Sequence, residues 1–141
     1  MRTLIVVATL ALVGPQATGP DYAGTWIAER GATTYVQLEL SLANGALTGR
    51  LGLGDVQVDA NGDVAGAQPV RDLTPLIGLD LRDGRLSLAR PDGGDTDHFE
   101  MRLLGKDTAE LLFKPTAGDL RDLADNSVPL PKAFRLKKVV R

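Results

Sequence analysis

Gly24-Thr25-Trp26, followed by Val36-Gln37-Leu38-Glu39-Leu40-Ser41-Leu42 and then by Asn44-Gly45-Ala46-Leu47, decides how the rest of this chain is read. Val36, Leu38, Leu40 and Leu42 alternate with Gln37, Glu39 and Ser41. A period of two puts the apolar residues on one face of a strand and the polar ones on the other. Asn44-Gly45 is the residue pair that accepts positive φ at both centres of a type I′ turn. After it Leu47, Leu51 and Leu53 resume the alternation, with Gly49 at the matching position. Residues 22–53 therefore predict a strand that opens at Trp26 and leads into a half-buried antiparallel hairpin.

The same rhythm runs downstream. Val56 and Val58 share a face, Asn61-Gly62 turns the chain, and Val64 begins a weaker strand limited by Gly66 and Pro69. Residues 69–75 carry two prolines and no periodicity, and read as a longer loop. Ile77, Leu79 and Leu81, the Asp83-Gly84 turn, and Leu86 and Leu88 make a second hairpin. Pro91-Asp92-Gly93-Gly94-Asp95 reads as a loop by composition. Phe99, Met101 and Leu103 alternate with His98, Glu100 and Arg102; Leu111 and Phe113 return as a third hairpin. Leu120, Leu123 and Ala124 fall at helical spacing behind Asp119, a candidate cap, so one short helical turn precedes the last strand. In that strand Phe134 and Leu136 alternate with Arg135 and Lys137.

Successive hairpins favour an up-and-down meander, and closure is the simplest way for such a meander to avoid exposed edges. The expected fold is all-β, an antiparallel up-and-down barrel of about eight strands with the last strand beside the first. A two-sheet sandwich is the competing architecture.

Ahead of the strands, Met1-Arg2-Thr3 supplies a positive charge, residues 4–13 are apolar apart from Thr9, and residues 14–19 are small and turn-prone. This predicts a signal peptide over 1–19, a single β-barrel domain over 20–141, and export to the periplasm or the extracellular space. Cleavage after Ala17 and cleavage after Gly19 each meet a proline, Pro15 or Pro20, so an uncleaved anchor is the alternative. The 141-residue chain has no cysteine, which excludes disulfides and a lipid-modified cysteine. A net charge of −2 with both signs scattered gives no basic stripe for nucleic acid and no indication of peripheral membrane contact.

Gly24-Thr25-Trp26 on the first strand, Asn44-Gly45-Ala46-Leu47-Thr48-Gly49 after the second, and Phe134-Arg135-Leu136-Lys137 at the end resemble calycin-type barrels, in particular small secreted bacterial lipocalin-like proteins. The resemblance implies a barrel whose interior accepts one small ligand. It also implies a basic residue of the last strand packed over the N-terminal tryptophan, with Arg135 or Lys137 as the counterpart. It permits an inhibitor-like role. Biotin binding is rejected, because avidin sites use several tryptophans and Trp26 is the only one in this chain.

No constellation for catalysis stands out. His98 is the only histidine, and although Asp95, Asp97, Ser87 and Ser127 are candidates to join it, no Gly-x-Ser-x-Gly elbow is present and His98 lies on a polar strand phase. Asp59-Ala60-Asn61-Gly62-Asp63 begins like a calcium loop, but Val64 and Val70 occupy the positions that need glycine and glutamate. The acidic run 92–97 reads as an ordinary polar loop, so no metal or cofactor is expected. The chain thus reads as a non-enzyme. Its inward set, Trp26, Leu38, Leu40, Leu51, Leu79, Phe99, Met101 and Phe113, lines an interior that suits a small apolar ligand; the same list describes a solid core. Trp26, Phe134, Arg135 and Leu136 are the expected barrel-closing residues. Segments 71–76 and 120–130 cap the barrel ends or gate a cavity. The two functions left open are a small-ligand binder and a solid module that docks another envelope or secreted protein.

Overall fold

The computed structural model describes residues 16–127 and 129–140. The signal-peptide reading falls on residues 1–19, of which 1–15 lie outside the described residues. A short helix α1 (Gly19–Tyr22) leads into β1 (Gly24–Arg30), β2 (Thr33–Ala43) and β3 (Ala46–Leu53). A small hairpin of β4 (Val56–Val58) and β5 (Val64–Ala67) follows, then the two-residue strand β6 (Thr74–Pro75). β7 (Gly78–Arg82), β8 (Arg85–Asp92), β9 (Asp95–Leu103) and β10 (Thr108–Phe113) form a meander, and α2 (Ala117–Asp125) precedes β11 (Phe134–Lys138).

Nine strands make one curled antiparallel sheet in the order β6-β3-β2-β1-β11-β10-β9-β8-β7, a half-barrel. The last strand lies beside the first, Trp26 opposite Lys138, as the meander argument required. β4 and β5 form a separate two-stranded sheet. The two edges of the large sheet do not ladder onto each other. Consecutive amides span the seam between them: Leu76 N–H donates to the Gly49 carbonyl on β3 and Ile77 N–H to the Ala89 carbonyl on β8, both at 2.9 Å.

Turn chemistry fixes the register. Asn44 and Gly45 have φ of 53° and 78°, Asp83 and Gly84 of 52° and 77°, so both hairpins turn through two left-handed residues as their sequences demand. Between Ala28 and Glu29 the β1–β2 register slips by a bulge. Tyr35 is the extra residue, which lets both Tyr35 and Val36 be buried.

Three segments differ from the sequence reading. Residues 91–95 are not a loop: β8 runs to Asp92, β9 begins at Asp95, and Gly93-Gly94 alone make the turn. Pro91 is tolerated there because β7 pairs with β8 only as far as Ala89, so its missing N–H breaks no ladder on that side. In the 69–75 segment Thr74 and Pro75 pair with Leu51 and Arg50. The cap of α2 is Thr116, whose hydroxyl accepts from Asp119 N–H at 3.1 Å while the Asp119 carboxylate accepts from Thr116 N–H at 2.9 Å. Asp119 is the third helical residue in a capping box, not the cap itself.

The core fills the concave face of the sheet. Trp26, Val36, Leu38, Leu51, Leu86, Met101, Leu111 and Leu136 are fully buried there. Ala17 packs against this core, and Gly19 starts α1. Helix α2 buries no residue and Leu120 is exposed, so it does not cap the barrel end.

Candidate functional site

The two ends of the half-barrel differ. At the end where β1 starts, Pro20 near the α1 N-terminus and the Thr18 capping box hold a single helical turn that swings Tyr22 inward. Its phenol donates to the Gly84 carbonyl at 2.6 Å, with the Met101 carbonyl at 3.2 Å, while the Trp26 indole N–H donates to the Tyr22 carbonyl at 2.9 Å. The Lys138 ammonium stands 5.3 Å from the Trp26 ring centre. A basic residue of the last strand therefore does cover the tryptophan, but it is Lys138. Phe134 and Leu136 are buried, and Lys138 continues their phase at the next alternate position, whereas Arg135 and Lys137 are exposed. Arg135 is accordingly not a closing residue. This end is a plug.

Burial pushes the Tyr22 phenol above its ordinary value of 10.0, and the Glu100 carboxylate adds to the rise. Because the folded form holds the proton more tightly than the unfolded chain, this contribution is complete below pH 10.0 and lost as pH rises through the folded value. Tyr22→Phe is expected to flatten the alkaline fall in stability, at a loss of about 1 kcal/mol at neutral pH for the missing hydrogen bond. Urea midpoints of both proteins at neutral pH and above 10.0 check it.

The opposite end is a mouth. Phe99 and Phe113 meet there with ring centres 5.7 Å apart, and Tyr35 stands edge-on to Phe134 at 5.9 Å. Leu53, Val56, Phe99, Phe113, Pro131 and Phe134 line an apolar groove of about 210 Å³ with Asp97 on its rim. An adjoining depression of about 250 Å³ shares Leu53 and Gly54 and is polar, bounded by Asp55, Gln68, Arg71, Asp72, Thr74 and Arg90. Segment 71–76 thus contributes a wall of this mouth.

Arg90 and Asp97 connect the two depressions. They are register partners on β8 and β9, and the Arg90 Nη2 donates to Asp97 Oδ2 at 3.0 Å with both side chains mostly buried. The guanidinium carbon lies 6.0 Å from the Phe99 ring centre. Its Nε is buried and has no acceptor among the described residues. No protein-family model, curated protein or solved structure matches the chain.

Of the residues predicted to line a ligand site, the structure brings Phe99 and Phe113 together at the mouth. Trp26, Leu38, Leu40, Leu51 and Met101 lie deeper and pack on one another in the core. Leu79 sits at the seam, beside a depression of about 260 Å³ shared with Gly45, Leu47, Leu81 and Leu86. The sequence reading missed Arg90 and Asp97. Leu86, Leu88 and Arg90 share one phase of β8, and Met101, Phe99 and Asp97 share one phase of β9. Counting two residues past Leu88 and Phe99 finds both. His98 and Ser87 are exposed on the outer phase, and no group of three or more His, Cys, Asp or Glu side chains able to hold a metal occurs among the described residues.

Proposed function

We propose that this chain is an exported, non-enzymatic barrel of calycin type that binds a small apolar ligand at the open mouth of the sheet. The observation that carries this reading is the apolar groove lined by Phe99, Phe113 and Phe134 at the end opposite the Tyr22–Trp26–Lys138 plug. Its volume of about 210 Å³ is below the range of drug-sized sites, so the ligand is a compact molecule. The calycin reading is supported by Lys138 over Trp26 and by the pairing of β11 with β1. The export reading is supported by the apolar run after Arg2.

Native mass spectrometry of protein purified without detergent, before and after organic-solvent extraction, tests the binding reading. A stoichiometric adduct that disappears on extraction is expected. A bare mass that stays bare after exposure to a mixture of small apolar compounds overturns it. The filled core favours a second reading, a solid module that docks another envelope or secreted protein. Retention of one defined partner by the bare protein would identify that case.

A further inference from the structure

The mouth carries more chemical information than its apolar wall. Arg90 has five N–H donors, and among the described residues the one hydrogen bond its guanidinium gives goes to Asp97. Nε, already out of water, finds no acceptor among the described residues. A mostly buried guanidinium with spare donors favours any ligand that brings an acceptor, because an unmet buried donor is penalised and a met one is not. The Phe99 ring under the guanidinium joins this donor set directly to the apolar groove.

Charge decides which acceptor. Arg90 is neutralised by Asp97 at 3.0 Å, and Arg71, Asp55 and Asp72 line the same polar depression. Two arginines and three aspartates line the combined mouth. An incoming carboxylate meets a compensated arginine and a surplus of negative charge, and a cation finds no use for the spare N–H groups. An uncharged oxygen acceptor uses those donors and adds no charge.

We propose, building on the small-ligand reading above, that the mouth binds a compact aromatic or alicyclic molecule bearing an uncharged carbonyl. Its ring lies against Phe99, Phe113 and Phe134, and its carbonyl oxygen accepts from the Arg90 guanidinium. Asp97 holds that guanidinium in place and cancels its charge.

Three probes of nearly equal size separate the possibilities: acetophenone, its alkene isostere α-methylstyrene, and benzoate. Each is titrated calorimetrically into the full chain, and the Arg90 Nε–H resonance is followed by NMR. Acetophenone is expected to bind about tenfold more tightly than either of the others, the discrimination of one hydrogen bond, and to shift the Arg90 resonance. In Arg90→Lys, which keeps the positive charge beside Asp97 and loses the forked donors, the preference over the alkene should vanish. In Asp97→Asn, which uncovers the arginine's charge, benzoate should gain about tenfold. Equal binding of acetophenone and α-methylstyrene by the wild type overturns the proposal and leaves the apolar-ligand reading standing. Tightest binding of benzoate by the wild type overturns it in favour of an anion site. Binding of none of the three overturns it also, and the presence or absence of the extractable adduct then decides the broader reading separately. The wild-type comparison needs no variant to fold.

Discussion

Trp26→Ala should destabilise the protein by about 3–5 kcal/mol, the range for truncating a large buried aromatic side chain. Trp26 is fully buried at the plugged end, where two polar contacts converge on it. Its indole N–H satisfies the Tyr22 carbonyl, so alanine leaves that acceptor short of a partner and loosens the turn that seats the phenol. Its ring face receives the Lys138 ammonium, so alanine also leaves a half-buried cation above a cavity. The loss appears as a lower urea midpoint at unchanged slope if only stability has changed. Trp26→Phe should lose less, because the ring under Lys138 survives and only the N–H is removed. Coincident midpoints for wild type and Trp26→Ala would show that the tryptophan does not hold this end shut.

Gly54→Ala is the second large effect, expected at about 3 kcal/mol, the upper part of the usual overpacking range. A Cβ at Gly54 would stand 1.8 Å from the Gln68 carbonyl oxygen, so the two segments must separate by about an ångström to admit a methyl group. They are pinned on both sides. Gly54 N–H donates to the Tyr35 carbonyl and Gln68 N–H to the Asp55 carbonyl, each at 2.8 Å. Thermal unfolding should show a fall of roughly 10 °C in Tm. Gly94→Ala is the control: a Cβ there meets nothing within 4 Å and the residue does not have positive φ, so its effect should stay within about 0.5 kcal/mol. Because Gly54 borders both depressions of the mouth, ligand affinity should fall in the same variant. If Gly54→Ala melts with Gly94→Ala, the close crossing of residues 54 and 68 is not a constraint on the fold.

The strands were legible because the concave face is apolar and the convex face polar through most of their length. That arrangement prints a period of two on the sequence, from Val36 to Leu40 and from Leu86 to Leu88. Asn44-Gly45 and Asp83-Gly84 announced their turns because few other pairs adopt two left-handed conformations in succession. The mouth was not legible for the converse reason. Inward positions there are occupied by Arg90 and Asp97, which neutralise one another across the ladder, and a charge on the inner phase reads as a strand end. The Pro91 and Gly93-Gly94 composition reinforced that misreading, although β8 and β9 continue through it. Lys138 escaped for a similar reason: its ammonium lies over the Trp26 ring, while a charge at the end of a strand reads as a surface residue. The cap at Thr116 shows a local ambiguity, since a Thr and an Asp three residues apart bond reciprocally and either one looks like the cap.

The ladder between β1 and β11 also sets the order of events when the chain folds. It unites the first and last strands in the middle of the large sheet, with Trp26 opposite Lys138. Residues on one side of that ladder come from β1, β2, β3 and β6, and those on the other from β7 to β11. Each half is a local meander able to assemble early, yet neither closes over its apolar face until the C-terminal strand arrives. Contacts of such sequence separation carry the largest loop-closure entropy and form slowly. A chain emerging N-terminus first therefore keeps Trp26 unsheltered until its final residues are available. A fold completed by its last strand is thus delayed by construction until synthesis of the chain is finished.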